Sequence, residues 1–264
     1  MAFNFTAYLL SRVAFAGTIL VFPYWLNFML NDPLQLGWNT IDSGDVLPEG
    51  TCVIFDPHSL YNNLLAFFIF AVPHSVLARQ SVKKILRIAD KPYERPLFAF
   101  ISPVTFFLTF YYWQPISNCS RFDISTLSCG AIMVSTTISL IAVIYILGVM
   151  FTLPDHIFGT ERYKLKSGET QKGKLITTFP YNLVRHPAGA GFLWLFWSFP
   201  SYNVNHIIIS SMWTLYVVPA TLLLEENSLR GPNGEFGPAY DRYAEDVAAF
   251  LPGKCVFRAF FGKK

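Results

Sequence analysis

The chain has 264 residues, of which 53% are hydrophobic and only 14% charged, roughly half the ~25% charge of an ordinary soluble domain. With 26 Phe beside 20 Lys+Arg and 17 Asp+Glu, there are too few charges to cover the surface of a soluble fold. A net charge of +3 does not point to a nucleic acid as partner, and the apolar content excludes a disordered chain.

Taken in chain order, six apolar stretches approach the ~20 helical residues that cross a ~30 Å hydrocarbon layer. They run over about Tyr8–Leu30, Tyr61–Leu77, Pro96–Trp113, Leu127–Leu153, His186–Pro200 and His206–Leu224. The fifth is short enough to be a partial span, which leaves five crossings as the alternative to six. The start of the chain lacks a basic stretch and a small-residue cleavage site, so the first stretch reads as a retained span. Asn62-Asn63 reads as the start of the second helix.

Charge placement tests this division. The five connections and the C-terminal tail hold 0, 6, 1, 6, 0 and 6 basic residues in turn. The alternation is a positive-inside pattern with both termini cytoplasmic. It predicts an all-α, polytopic membrane helical bundle of about six spans. In the tail, Phe236, Tyr240, Tyr243, Val247 and Phe250 step by 4, 3, 4 and 3, which predicts an amphipathic helix on the cytoplasmic side. The chain reads as a single integral membrane domain over 1–264: a first span and outer loop (1–60), a core (61–252) and a basic tail (253–264). Membrane lipids are its expected surroundings, in a bacterial plasma membrane or an endoplasmic-reticulum or nuclear-envelope one. No sequence feature sets an oligomeric state.

Cys52, Cys119, Cys129 and Cys255 show no spacing suited to a metal, and none is expected. Cys52 and Cys119 both fall in outer segments, as a disulfide or as two free thiols. His58 and His206 also fall on the outer side and look incidental. His74 sits at the inner end of the second span, as a packed core residue or as a base.

The chemistry-bearing groups gather at one boundary. Arg185 and His186 open the fifth stretch and Glu225-Glu226 close the sixth. A hairpin of these two stretches would bring the basic and acidic pairs face to face. Glu at a helix C-terminus opposes the macrodipole, so a compensating partner or ligand is expected there. Pro187, Gly189 and Gly191 form a first helical turn open to close approach by an anionic group or by another helix.

The run from Leu183 to Phe192, containing Arg185-His186-Pro187 and Gly191, resembles the RHPxYxG motif of the isoprenylcysteine carboxyl methyltransferase-like superfamily. Glu225-Glu226, with Phe236-Gly237, Tyr240, Tyr243 and Pro252, resembles that superfamily's EExxL and FGxxYxxY ending. Segments at Pro73–Arg79, Glu94–Phe98, Tyr112–Ile116 and Asp155–Gly159 are similar to the NnrU branch, which includes methanethiol S-methyltransferases and nurim. Two positions depart from the pattern: Gly189 stands where the motif has an aromatic, and Leu223 where an Arg usually precedes the acidic pair.

The resemblance implies a membrane methyltransferase that uses S-adenosylmethionine and takes a small thiol such as methanethiol, or another lipophilic acceptor. A prenylcysteine or lipid methyltransferase, or a nurim-like scaffold without catalysis, is the alternative. His186, Pro187, Gly189, Gly191, Glu225, Glu226, Tyr240 and Tyr243 would bind the cofactor. Arg185, His74 and Glu226 would serve catalysis, Arg185 by orienting an anionic group and His74 as a base for the thiol.

Overall fold

The computed structural model describes residues 4–43, 52–119, 122–123, 128–164, 174–199, 201–232 and 234–253. In chain order the helices are α1 (Phe5–Met29), α2 (Pro57–Ala78), α3 (Gln80–Ile85), α4 (Glu94–Tyr111), α5 (Cys129–Thr152), α6 (Pro154–Phe158), α7 (Pro187–Phe196), α8 (Val204–Pro219), α9 (Glu226–Leu229) and α10 (Pro238–Asp246). Two-residue strands, β1 (Phe122–Asp123) and β2 (Ser201–Tyr202), pair antiparallel. The fold is that of a polytopic helical membrane protein.

Among the described residues, α1, α2, α5 and the continuous helix Val204–Leu229 are long and apolar enough to cross a membrane. That is four of the six expected stretches. The third became α4, 18 residues long and opened by the charged pair Glu94-Arg95. The fifth became α7, whose 10 residues reach about 15 Å, half a hydrocarbon layer. The apolar surface outside the core supports a lipid setting. On α5, Met133, Val134, Ile138, Leu140, Ile141 and Ile144 are all exposed, and an apolar face of that size left uncovered needs lipid around it.

The chain divides into two compact units. The first comprises residues 1–123, 153–171 and 201–208. Here α4 packs against α1 and α2 through aromatic side chains: Trp25 and Phe28 meet Phe110, and Phe106 meets Phe70. Asp56 caps the start of α2 by accepting from the His58 and Ser59 N–H groups. Asn62 and Asn63 therefore lie inside α2 and do not start it. They clamp the segment after α4: Asn63 accepts from Gln114 N (2.7 Å) and donates to Gln114 O (2.7 Å), while Asn62 donates to Gln114 Oε1 (2.8 Å).

Cys52 and Cys119 form a disulfide, the first of the two readings above. The backbones beside it are already fastened, with Val53 N donating to Asn118 Oδ1 and Asn118 N to Val53 O. Two of the resembling segments meet in this unit. Arg95 Nε donates to Ile157 O (3.1 Å), and a Cβ on Gly159 would fall 2.9 Å from Pro96 Cδ. Gly159 also has φ +66°, so both space and backbone call for glycine there.

A polar hub completes the first unit. Asp42 accepts from Asn31 (2.7 Å), Asn203 (2.6 Å) and Asn205 (2.8 Å). Asn205 Oδ1 in turn accepts from Ile116 N and Ser117 N. His206 is buried, with Nδ1 3.1 Å from Asn203 Oδ1 and Nε2 3.1 Å from Met29 O. It is thus a structural member of the hub and not incidental.

The second unit comprises residues 124–152, 172–200 and 209–264. In it α7 packs on α5: a Cβ on Gly191 would lie 2.6 Å from Ile146 Cγ1, and Tyr145 stacks on Trp194 at 5.2 Å. After Pro219 the long helix widens into a π-helical turn over Ala220–Glu225 before α9. Such bulges shift the facing of every residue beyond them. Here the outcome is an inward Glu226 and an outward Glu225.

Helix α10 ends earlier than the 4, 3, 4, 3 spacing predicts. Val247 is extended (φ −116°, ψ 130°), because the chain beyond it bonds to the start of α7. Arg185 N donates to Ala248 O (2.9 Å) and His186 N to Ala249 O (3.1 Å). Phe250 consequently belongs to a strap and not to a helix face. The expected basic tail lies, from Lys254 onward, outside the described residues.

Candidate functional site

Every member of the site belongs to the second unit. Val184, fully buried beside Tyr145 and Ala190, anchors the segment that leads into α7. Arg185 and His186 come next, and Pro187 opens the helix at a position where its missing N–H is no loss. Among the described residues, no side chain caps this helix start.

Glu226 is the centre. It is 3% exposed at the end of a 26-residue apolar helix, where the macrodipole disfavours a carboxylate. Its Oε1 accepts from Arg185 Nε (2.8 Å) and Nη2 (2.6 Å), and lies 2.9 Å from His186 Nε2. Its Oε2 accepts from Arg230 Nη2 (2.6 Å). Both oxygens are thus engaged by protein donors, which supply the compensation that the helix end requires. The basic and acidic pairs meet as their placement in the sequence implied.

The two glutamates differ sharply. The Glu225 side chain is 57% exposed and approaches His186 Nδ1 at only 3.6 Å. Glu225 is therefore the carboxylate open to an incoming group, whereas Glu226 is enclosed.

Arg185 faces inward too. Its Nη1 donates to Ala244 O (3.1 Å) and Val247 O, so it holds the last turn of α10 as well as Glu226. Tyr240 OH stands 3.5 Å from both His186 Nε2 and Glu226 Oε1. Burial, reinforced by the Glu226 charge, pushes its phenol up to about 12. Tyr243 OH donates to Tyr181 O (2.6 Å), and burial raises its phenol well above the usual tyrosine range.

The two glycines have different surroundings. Gly191 serves helix packing against Ile146, the second of the two readings given for the first turn. A Cβ on Gly189 would lie 3.4 Å from both Phe250 Cε1 and Val217 Cγ1, so Gly189 floors a narrow gap beneath the strap. Leu223 is exposed. His74 belongs to the first unit, stacked on Phe70 at 4.8 Å with Nδ1 3.2 Å from Ser102 Oγ.

Sequence reasoning did not find Arg230 or Phe250. Arg230 was detectable: it stands four residues after Glu226, the spacing of a helical ion pair. Phe250 was assigned to a helix face, and only the strap brings it to the site. Trp194 Nε1 donates to Phe250 O (3.0 Å), a contact that no local spacing encodes.

No protein-family model matches the chain. No solved structure matches it either. Curated relatives do. One is a methanethiol S-methyltransferase of Pseudomonas deceptionensis, 30% identical over 217 residues, or 81% of this chain and 78% of that protein. Another, from Crocosphaera subtropica and of the same name, is 31% identical over 200 residues, covering 74% and 73%. Methanethiol S-methyltransferase 1 of Bradyrhizobium diazoefficiens is 26% identical over 260 residues, covering 95% and 83%. Identity at that level over most of both partners goes beyond a shared membrane composition, and on it the chain belongs to the methanethiol S-methyltransferase family.

Proposed function

We propose that the protein is a membrane-embedded methyltransferase that transfers a methyl group from S-adenosylmethionine to a small thiol such as methanethiol. The observation that carries the reading is the unequal pair of glutamates: Glu226 is tied to Arg185, His186 and Arg230, and Glu225 beside it is left open. One carboxylate fixes the site and the other remains for a ligand.

The residues present suit the cofactor. The exposed Glu225 carboxylate complements an ammonium or ribose hydroxyls, and the uncapped start of α7 at Pro187–Gly189 complements a carboxylate. When bound, S-adenosylmethionine supplies a methyl group on a positively charged sulfur; the products are the methylated thiol, the neutral thioether and the released thiol proton. Glu225, His186 and the first turn of α7 bind and orient. Arg185, Glu226 and Arg230 are positioning residues, which hold α7, α9 and α10 in register. Tyr240 and Tyr243, both buried, close the wall and exclude water. Alignment and a dry setting, and not a covalent enzyme intermediate, then lower the barrier.

The positive-inside alternation supports cytoplasmic termini and a cytoplasmic site. The Cys52–Cys119 disulfide agrees, because the end of the first unit that carries it then faces the more oxidising side. Protein reconstituted in nanodiscs should bind labelled S-adenosylmethionine saturably and convert methanethiol to a volatile thioether. Absence of saturable binding overturns the methyltransferase reading in favour of a scaffold. Binding together with turnover of only a prenylcysteine overturns the small-thiol assignment.

A further inference from the structure

Phe250 is held in place from several sides. Its carbonyl accepts from Trp194 Nε1 (3.0 Å), and the two carbonyls before it accept from the His186 and Arg185 N–H groups. The ring stands 5.8 Å from the His186 ring, tilted by 40°, and covers Gly189 closely enough that a Cβ there would touch it at 3.4 Å. The residue packs against the cluster of Tyr145, Val184 and Ala190 but is only partly buried, so it is not sealed into the core. Backbone anchoring of this kind fixes where an aromatic face is presented.

We propose that Phe250 is a donor-binding residue whose ring receives the positively charged sulfonium of the methyl donor, and that it thereby distinguishes the charged donor from its neutral thioether product. The inference rests on the methyltransferase reading above. An aromatic face attracts a cation through its quadrupole and gives no such attraction to a neutral thioether of the same shape. The nearby charges fit this selection. The Arg185 and His186 donors are turned onto Glu226, and Glu225 adds an open carboxylate on the His186 side. Gly189 has a matching part: with no side chain there, Phe250 can lie over the helix start.

The test compares two ligands on one protein. Affinities for S-adenosylmethionine and for S-adenosylhomocysteine are measured by calorimetry on the nanodisc-reconstituted chain, with F250L and with a fluorinated phenylalanine placed at position 250. Fluorination keeps the ring's shape and withdraws its π-charge, so it serves even where F250L disturbs folding. Both changes should weaken S-adenosylmethionine binding by between about two- and thirtyfold and leave S-adenosylhomocysteine within about twofold. Equal weakening of both ligands, or of neither, overturns the inference while leaving the methyltransferase reading intact. If the unaltered protein binds neither ligand, that reading fails instead.

A second variant pair probes the geometry. G189Y alone would drive a ring into Phe250 and should abolish donor binding, whereas G189Y with F250A should restore it at least in part. No restoration overturns the idea that one aromatic serves the place.

Discussion

At the scale of single residues, the adjacent glutamates are expected to separate two kinds of damage. Replacing Glu226 by Ala leaves Arg185 and Arg230 without their shared counter-charge. Loss of one partner from a buried charge cluster costs about 3–5 kcal/mol, and a fall in thermal midpoint in nanodiscs should register it. E225A should leave that midpoint nearly unchanged and weaken donor binding instead. If the two variants behave alike, the division of roles is wrong. Tyr240 gives a pH test with a definite sign. Its folded-state phenol titrates near 12 against ~10 in an unfolded chain, so its contribution is fully present below ~10 and declines as pH rises toward 12. Stability should therefore fall less steeply between pH 10 and 12 in Y240F than in the unaltered protein, measured by chemical denaturation.

At the scale of elements, the contact of α7 with α5 is set by one missing methyl. Adding it in G191A places a carbon 2.6 Å from Ile146 Cγ1, and overpacking of this kind costs about 1–3 kcal/mol. I146A removes the obstructing atoms, so the double variant should be more stable than the sum of the two single changes predicts. Strict additivity in a double-mutant cycle would show that the helices separate freely there. The strap is a further element-scale feature. It was illegible because periodicity reports only local regularity. The 4, 3, 4, 3 spacing from Phe236 to Phe250 is real, but the backbone leaves the helix at Val247 once Arg185 and His186 offer it hydrogen bonds. The meeting of Arg185 with Glu226 was legible, since both stand at ends of apolar stretches that the charge alternation puts on one side.

For the molecule as a whole, composition and the alternation of basic residues were enough to establish a helical membrane protein. Among the described residues four helices are long and apolar enough to span, and an apolar stretch such as His186–Pro200 does not disclose that its helix stops at Phe196. The hub around Asp42 was invisible for a different reason. Its partners Asn203 and Asn205 lie 161 and 163 residues away in sequence, and asparagines of ordinary appearance carry no sign of such a meeting. Within the first unit the Cys52–Cys119 bridge closes a loop with a sequence separation of 67. Removing it with C52S should lower stability by about 2–5 kcal/mol, and a thiol reductant should reproduce the loss in the unaltered chain but not in the variant. Equal sensitivity of both to reductant would place the effect elsewhere.

The π-helical turn over Ala220–Glu225 has a consequence for how this gene can change. Each residue of an α-helix rotates the facing of the next by about 100°. Deleting one residue of the turn, such as an exposed leucine, would draw the helix back to α geometry and leave the bearing beyond it much as it is: Glu226 would still face inward, with Arg230 four residues on. Straightening the turn at full length would instead rotate everything beyond it by about 100° and carry Glu226 off Arg185 and His186. The segment therefore tolerates a three-nucleotide gap better than a change that stiffens it into regular helix.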